Sequence, residues 1–378
     1  MSKRIFLSLA HESGFEMQFI EDAFSSNWIT SEGPNIVGFE KSLEDYLGKD
    51  MFVAALNSGT ASIHLGLVVL DVKAGDEVIC QSMTFSASAN PILYQGATPV
   101  FIDSEKETWN ICPIALEEAI VDRISKGKKP KAIIAVHLYG MPFKIEEVRA
   151  VADKYEIPIL EDSAEALGSS YKGQKCGTFG DIGILSFNGN KIITTSGGGA
   201  VVAKSKIQKD KIVFLSTQAR DNAPHYQHSE VGYNYRMSNI CAGIGRGQIE
   251  VLDKHVALRR SMHDFYTSIC SQIEGITVFE EPNQDYFSNY WLSAILIDPA
   301  KTKNNTTRED FRLFLESSNI ESRPLWKPMH LQPIFEKYPY YGNNVAEELF
   351  ENGLCLPSGS ILSSEDRDRI KEAFHKFF

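Results

Sequence analysis

The sequence predicts an α/β protein in which helices cover a parallel β-sheet. Between about residues 50 and 200, short apolar runs alternate with longer helical stretches. Several of the runs are rich in Val and Ile and follow Gly, Pro or Lys, as buried strands that begin after a turn do. Alternating strands and helices are the pattern of a parallel sheet. The length of 378 residues, at roughly 100–200 residues per domain, indicates two or three domains.

The predicted sheet elements lie in the first half of the chain. The strand-like runs are Phe52–Leu56, Glu77–Cys80, Pro99–Ile102, Ala132–Val136 and Pro158–Leu160. The helical stretches between them are Ala61–Leu70, Ser86–Tyr94, Ile114–Ile124 and Ile145–Tyr155. Two further strand-like runs, Ile182–Phe187 and Gly199–Ala203, flank a loop over residues 188–198, which is the most distinctive stretch of the chain.

The pattern changes in the last third of the chain. Met237–Arg259 is predicted to be one long helix or two in series. The elements predicted beyond it are a strand, a helix, a second strand and a terminal helix: Tyr290–Ile297, Arg308–Glu316, Asn319–Arg323 and Ser364–Phe377. We therefore predict a large domain over residues 1–250 and a smaller α+β domain over residues 251–378.

Composition excludes several classes of function. The net charge of −11 and a pI near 5.4 argue against binding to nucleic acid or to an anionic membrane surface. Six scattered cysteines, without a CxxC pair or metal-ligand spacing, predict reduced thiols and no metal site. The apolar run Ile5–Ala10 is too short for a signal peptide or a membrane span. These features predict a cytoplasmic protein.

Lys191 is the first candidate for chemistry. It is the only charged residue between Asp181 and Lys204, and its neighbours are apolar, amide, hydroxyl and glycine residues. Partial desolvation there would lower its pKa and free the amine as a nucleophile. The alternative is a loop lysine that points to water, as an arbitrary lysine does.

Asp162 is the second candidate. It ends the run 157–162, and ligands bind at the carboxyl ends of strands in open α/β sheets. A carboxylate there could keep a pyridine nitrogen protonated, so that a bound pyridoxal phosphate (PLP) ring acts as an electron sink. The alternative is a helix cap.

A third feature could hold a phosphate group. Residues 56–62 join a strand to a helix and include the small residues Ser58, Gly59 and Thr60, whose amides can approach an anion at the helix N-terminus. Simple capping of the helix by Ser58 or Thr60 would explain the same pattern. Phe85 could supply a flat face for a ring, or could be a core residue.

Together these residues resemble the sugar aminotransferases of the DegT/DnrJ/EryC1/StrS family, which have the PLP-dependent transferase type I (aspartate aminotransferase) fold. The resemblance covers nearly the whole chain. Its markers are five short motifs in the order expected: Asn57–Ala61, Glu161–Ala166, Ser186–Lys191, Gly232–Arg236 and Arg323–Trp326.

The resemblance implies a role for each matching residue. Lys191 would hold PLP as a Schiff base and move the proton between substrate and cofactor carbons, while Asp162 would pair with the pyridine nitrogen. Asn234 would reach the phosphate from the neighbouring subunit, which implies a homodimer with shared active sites. The implied cofactor-binding residues are Ser58, Gly59, Thr60, Phe85, Asp162, Ala164, Glu165, Ser186, Asn188, Lys191 and Asn234.

Two departures from the family pattern point to one branch of it. Many members have Gln where this chain has Glu165, and Gly-Glu-Gly-Gly where it has Ser196–Gly199. A carboxylate at position 165 would need a proton or a cationic partner. Both departures resemble the branch that makes UDP-N-acetylbacillosamine, which also shares residues 194–199, 216–220 and 323–330.

That branch implies L-glutamate as amino donor, released as 2-oxoglutarate, and a UDP-linked 4-keto-6-deoxy-N-acetylhexosamine as acceptor. The product would be UDP-4-amino-4,6-dideoxy-N-acetylglucosamine, used in surface glycan or glycoprotein synthesis. The basic residues near position 323 could face a pyrophosphate, or could form an exposed salt-bridged loop. The implied substrate-binding residues are Asn27, Trp28, Ile29, Thr30, Ser58, Asn234, Arg323, Pro324, Leu325, Trp326, Lys327 and His330.

Four alternatives stay open at this stage. Within the family they are a GDP-perosamine-type 4-aminotransferase, an enzyme acting on a 3-ketosugar, and a sugar dehydratase, which the resemblance disfavours because dehydratases carry His in place of Lys191. From another class, the chain could be a PLP-binding regulator or a catalytically idle PLP-binding sensor. A regulator of that kind would need a basic DNA-binding segment, and the sequence offers none.

Overall fold

The computed structural model describes residues 3–378. Its helices are α1 (Glu16–Ser25), α2 (Pro34–Leu47), α3 (Gly59–Val69), α4 (Ser86–Tyr94), α5 (Pro113–Ser125), α6 (Ile145–Lys154), α7 (Lys206–Ser216), α8 (Asn239–Ile249), α9 (Leu252–Cys270), α10 (Arg308–Ser317), α11 (Val345–Asn352) and α12 (Ser364–Phe377). Its strands are β1 (Phe52–Leu56), β2 (Glu77–Gln81), β3 (Thr98–Ile102), β4 (Ala132–Val136), β5 (Ile159–Asp162), β6 (Ser170–Tyr171), β7 (Gln174–Lys175), β8 (Ile182–Ser186), β9 (Gly199–Ala203), β10 (Ile276–Val278), β11 (Tyr286–Phe287), β12 (Ser293–Ile297), β13 (Arg323–Pro324), β14 (Tyr340–Tyr341) and β15 (Gly353–Leu356).

A mostly parallel sheet forms the centre of the molecule, as predicted. Its strand order is β1-β9-β8-β5-β4-β2-β3-β14. Strands β2, β3, β4, β5, β8 and β14 pair in parallel, whereas β9 runs antiparallel to both β1 and β8. All strands except β9 therefore point the same way, and their carboxyl ends meet at one edge.

Both faces of this sheet are covered. On β4, Ile133 and Ala135 belong to one buried apolar cluster, while Ile134 and Val136 belong to another on the opposite face. Successive side chains of a strand point to opposite faces, so a strand buried on both sides must be apolar throughout. This requirement explains why β4 reads as the continuous apolar run that marked it in the sequence.

A second, antiparallel sheet follows α9, with the order β10-β12-β15-β13. Helices α9, α10 and α12 cover it through Tyr266, Phe311 and Phe374, which are buried in one cluster. The chain returns to the large sheet at β14, and Ile5 forms a bridge with Ile320 on the small-sheet side. The division into residues 1–250 and 251–378 stays a prediction.

The predicted elements differ from the structure mainly in the last third. Met237–Arg259 contains two helices in series, with a break between Ile249 and Leu252. The strand predicted at Asn319–Arg323 is reduced to an isolated bridge at Ile320 and the start of β13 at Arg323. Asn319, two residues after the end of α10, lies in the left-handed region (φ 60°) and is not part of a strand. No helix within residues 3–378 is both long and apolar enough to cross a membrane.

Candidate active site

The carboxyl-end edge of the large sheet opens into a cavity of about 540 Å³. Loops after β1, β2, β5 and β8 line it, together with the residues before β9, the N-terminal segment and residues near positions 291 and 323. The predicted residues that line it are Ser58, Gly59, Thr60, Phe85, Asp162, Ala164, Glu165, Ser186, Asn188, Lys191, Arg323, Pro324 and Trp326. The structure therefore brings most of the predicted residues into one cavity.

A larger open groove of about 1010 Å³ lies beside α9 and α12. Its lining combines apolar side chains such as Phe265 and Phe374 with Lys301, Lys303 and Lys371. Its only acidic side chain among the described lining residues is the exposed Glu274. Because the smaller cavity combines a buried amine with buried carboxylates, we identify it as the candidate active site.

Lys191 extends into the cavity and not into solvent. Its side chain is 12% exposed, and its Nζ atom lies 3.2 Å from Oε1 of Glu165 and 4.2 Å from the centre of the Trp291 ring. The backbone amide of Lys191 donates to the carbonyl of Asn188, which closes a tight turn after β8. The loop thus presents the amine to the centre of the cavity.

Glu165 is the carboxylate next to this amine. It is 4% exposed, and its second oxygen, Oε2, accepts a hydrogen bond of 2.8 Å from the backbone amide of Tyr139. Burial raises the pKa of Glu165 to about 7, although Lys191 and the Tyr139 amide favour its charged form. The cationic partner that a carboxylate at this position needs is therefore present, and it is Lys191.

The raised pKa of Glu165 predicts a pH effect on stability. Between its usual pKa of 4.5 and about 7, the folded state holds a proton that the unfolded state has lost, so the free energy of unfolding falls as pH rises. A shift of this size corresponds to about 3 kcal/mol. We expect the thermal midpoint of the apoenzyme to fall between pH 5 and pH 8 less steeply in Glu165→Gln than in the wild type. Equal slopes in the two proteins would contradict this assignment.

Asp162 lies at the end of β5, with its carboxylate buried. Its two oxygens accept hydrogen bonds from Ser88 Oγ (2.6 Å) and from the amide of Ala164 (3.1 Å), and Ser88 is itself 2.7 Å from Thr84 Oγ1. No α-helix begins at residues 163–169, so Asp162 is not a helix cap. Burial raises its pKa, and within residues 3–378 no basic nitrogen comes within 4.0 Å of it. The Asp162 carboxylate therefore has no cation in direct contact among the described residues.

The start of α3 has the form of an anion cradle. Ser58 caps the helix by accepting a hydrogen bond from the amide of Ala61 at 3.1 Å. The amides of Gly59 and Thr60 belong to the first turn, so the helix offers them no carbonyl one turn earlier. A side chain at Gly59 would come 3.1 Å from Ser186 Oγ. Glycine thus leaves free the space between these amides and the Ser186 hydroxyl, which a phosphate needs.

These three groups fit PLP. The cradle at Gly59 suits its phosphate, the uncompensated carboxylate of Asp162 suits a protonated pyridine nitrogen, and the amine of Lys191 suits its aldehyde. Phe85 is 57% exposed, so it is not a core residue, and its ring centre lies 5.6 Å from that of Trp326. It is available to cover a ring in the cavity.

Three ligand-type side chains behind the cavity lie close together without forming an open metal site. His137, Glu161 and Cys176 are fully buried. His137 Nδ1 accepts from the amide of Phe143, so its Nε2 carries the proton donated to Glu161 at 2.7 Å. Backbone amides of residues 177, 179 and 180 also donate to Glu161. This carboxylate is fully occupied, and the absence of a metal site stays a prediction.

Several predicted substrate residues lie outside the cavity lining of this chain. Residues 27–30 follow α1 and are held by Asn239, which bonds to the backbone of Trp28 and Thr30. The carbonyl of Asn234 accepts from the side chain of Asn57. Leu325 is core, and Lys327 is exposed. The ring of His330 is engaged by Ser82 (2.6 Å) and Glu347 (3.1 Å).

Sequence reasoning missed a set of lining residues that no local motif marks. The N-terminal segment lies across the cavity because Ile5 bridges to Ile320, and two residues before β12 close another wall. The only sequence signal is the apolar run Ile5–Ala10, which is too short for a targeting segment and carries no motif that places it in a site. The missed residues include Phe6, Leu7, Ser8, Leu9, Trp291, Leu292 and Glu321.

The fold and cavity define a PLP-dependent enzyme of the type I fold. The chain belongs to the DegT/DnrJ/EryC1/StrS aminotransferase family, whose sequence profile matches residues 11–375.

Similar sequences and a similar solved structure support this family assignment. EpsN of Bacillus subtilis (strain 168), named a pyridoxal phosphate-dependent aminotransferase, is 47% identical over 100% of this chain and 97% of its own length. GDP-perosamine synthase of Escherichia coli O157:H7 is 37% identical over 97% of this chain and 96% of its own length. The PLP form of the sugar aminotransferase Spr1654 from Streptococcus pneumoniae has a TM-score of 0.88 at 28% identity, covering 99% of this chain and 98% of that one.

Proposed function

We propose that this sugar aminotransferase transfers the amino group of L-glutamate to C4 of a UDP-linked 4-keto-6-deoxy-N-acetylhexosamine, giving UDP-4-amino-4,6-dideoxy-N-acetylglucosamine. The observation that supports amino transfer is the convergence of the Lys191 amine, the buried Asp162 carboxylate and the Gly59 anion cradle in one cavity. Surface glycan or glycoprotein synthesis would use the product.

The residues of this chain divide the work of holding the cofactor. PLP, when bound, supplies an electron sink for carbanionic charge next to the reacting nitrogen. The amides of Gly59 and Thr60 and the hydroxyl of Ser186 hold its phosphate, and Asp162 keeps its ring nitrogen protonated. Phe85 and Ala164 cover the two faces of its ring, and Ser58, Glu165, Asn188 and Asn234 complete the proposed cofactor set.

Lys191 has two tasks in this proposal. Its amine would tether the cofactor, and when displaced by the donor it would carry a proton between substrate and cofactor carbons. Among the described lining residues it is the only primary amine. Glu165, 3.2 Å away, holds the displaced amine inside the cavity. The two half-reactions, with glutamate and then with the ketosugar, use the same amine.

The acceptor is proposed to lie on the side of Arg323 and Trp326. The Arg323 side chain is 68% exposed at the cavity and bonds to Glu321 Oε1 at 2.9 Å. A pyrophosphate can replace that carboxylate as a bidentate partner of the guanidinium. Pro324, Leu325, Lys327 and His330 would shape the same loop around the nucleotide.

A homodimer with shared active sites belongs to this proposal. Asn234 is absent from the cavity lining of its own chain, and in this proposal it reaches the phosphate bound by a second copy. Residues 27–30 also lie outside the lining. Large apolar side chains exposed on and near α1 and α2, including Phe15, Met17, Phe24 and Val37, support an interface there. Light scattering of the holoenzyme should give twice the chain mass of 42.2 kDa.

One specific observation favours a second candidate, a GDP-linked 4-ketosugar. GDP-perosamine synthases from three bacteria are 35–37% identical to this chain over 97% of its length. The UDP-linked sugar is preferred because residues 194–199 and 323–330, which include lining residues such as Gly197 and Arg323, resemble the bacillosamine-forming branch.

A competition experiment separates the two acceptors. Purified enzyme, PLP and L-glutamate are incubated with equal amounts of the UDP- and GDP-linked 4-ketosugars, and both sugar nucleotides are followed by mass spectrometry. We expect the UDP sugar to exchange its ketone for an amine first, with release of 2-oxoglutarate. Preferential amination of the GDP sugar would overturn the proposed acceptor, and no release of 2-oxoglutarate would overturn glutamate as donor.

A further inference from the structure

The N-terminal segment over residues 5–11, here called the strap, is fixed along the cavity by contacts to distant parts of the chain. The amide of Ile5 donates to the carbonyl of Asn319, and its carbonyl accepts from the amide of Glu321. The amide of Leu7 donates to Glu321 Oε2 at 3.0 Å, and its carbonyl accepts from the amide of Ser358. These backbone contacts hold the strap without any help from Ser8.

Ser8 makes a different kind of contact. Its hydroxyl donates to the carbonyl of Asn190 at 2.9 Å, and the indole N–H of Trp291 donates to the same oxygen at 2.7 Å. Asn190 directly precedes Lys191, and the Trp291 ring lies 4.2 Å from the Lys191 Nζ atom. Two side chains from distant parts of the sequence thus hold the peptide group that carries the lysine.

A buried arginine contacts both of these residues. Arg259, on α9, is 1% exposed and donates to Ser8 Oγ at 3.0 Å and to the carbonyl of Trp291 at 2.5 Å. No carboxylate within residues 3–378 comes within 4.0 Å of it, and its Nε has no hydrogen-bond partner there. Burial lowers the pKa of Arg259 to about 9, which leaves it charged at neutral pH.

Burial of a guanidinium without a carboxylate partner lowers the stability of the fold. Stability alone therefore does not explain why an arginine occupies this position. Because Ser8 Oγ accepts a hydrogen bond from the Arg259 guanidinium, one of its lone pairs points toward α9. The hydroxyl proton of Ser8 is then free to point to the Asn190 carbonyl. We propose that Ser8 is a positioning residue, which fixes the Lys191 amine for covalent attachment of the cofactor through the carbonyl of Asn190. This inference rests on the proposed role of Lys191.

The test follows the growth of the visible absorbance band when PLP is added to apoenzyme, with Lys191→Ala as the blank. Attachment joins the Lys191 nitrogen to the aldehyde carbon and releases one water. Ser8→Ala should slow attachment on the order of fivefold, the effect of one hydrogen bond, and should shift the pH midpoint of the band. Ser8→Thr, which keeps the hydroxyl, should restore both.

Ser360→Ala is the matched control. Ser360 also contacts the strap through its hydroxyl, 3.1 Å from His11 Nδ1, but it has no link to Asn190. It should attach PLP at the wild-type rate. The proposal fails if Ser8→Ala attaches PLP as fast as the wild type, or if Ser360→Ala is slowed equally, since the cause would then be general disorder of the strap. Absence of a Lys191-dependent band in the wild type would instead overturn the proposed function.

Discussion

Replacement of Lys191 with alanine should lower turnover by at least about 10³-fold while leaving the fold and noncovalent cofactor binding in place. The variant removes both the tether and the proton carrier, and general acid–base catalysis alone is worth about 10²–10⁴. The phosphate cradle at Gly59 and the carboxylate of Asp162 remain, so PLP should still bind.

The measurement is steady-state release of 2-oxoglutarate, with cofactor content determined on the same samples. Lys175→Ala is a matched control, because that lysine also contacts an aromatic ring, Tyr46, but lies outside the cavity lining. Its activity should equal that of the wild type. Steady-state turnover by Lys191→Ala within tenfold of the wild type would remove Lys191 from the mechanism.

The second large effect is expected for Asp162→Asn. An amide of the same shape keeps the contact with Ser88 but cannot balance a positive charge on the cofactor ring. Loss of one partner of a buried ion pair costs about 3–5 kcal/mol, which corresponds to a decrease on the order of 10²–10⁴-fold in turnover. The absorbance spectrum of bound PLP should change as well, because its ring nitrogen loses the proton.

Asp103→Asn gives the control for loss of a buried carboxylate as such. Asp103 directly follows β3, much as Asp162 ends β5, and both carboxylates are buried. Asp103, however, accepts hydrogen bonds from the backbone amides of residues 343, 345 and 346. This variant should lose stability and keep the cofactor spectrum. An unchanged spectrum and turnover in Asp162→Asn would show that this carboxylate does not face the ring nitrogen.

The parts of the site that sequence analysis could predict are those defined by neighbouring residues. Lys191 stood out because its surroundings in the chain contain no other charge, and Asp162 because it ends a buried strand. In both cases the structure shows a burial that the local pattern already indicated. Strands such as β4 were also predictable, since burial on both faces requires a continuous apolar run.

The parts that could not be predicted depend on contacts between distant residues. Ser8 reaches the cavity only because Ile5 pairs with Ile320, and Trp291 only because Arg259 and Asn190 hold it. The strand predicted at 319–323 begins too early, because Asn319 has a positive φ angle and only Ile320 and Arg323 pair with other extended segments. Local propensity carries no information on the long-range contacts, whereas an Asn just after a helix is a signal for positive φ that the strand prediction did not use.

The most direct test of the central claim is to locate the cofactor on the chain. Holoenzyme is reduced with borohydride, which makes the lysine–cofactor bond permanent, and is then digested and mapped by mass spectrometry. We expect the phosphopyridoxyl group on the peptide that contains Lys191, and its loss when L-glutamate is added before reduction. Attachment to any other lysine, or no attachment at all in enzyme that turns over, would contradict the site described above.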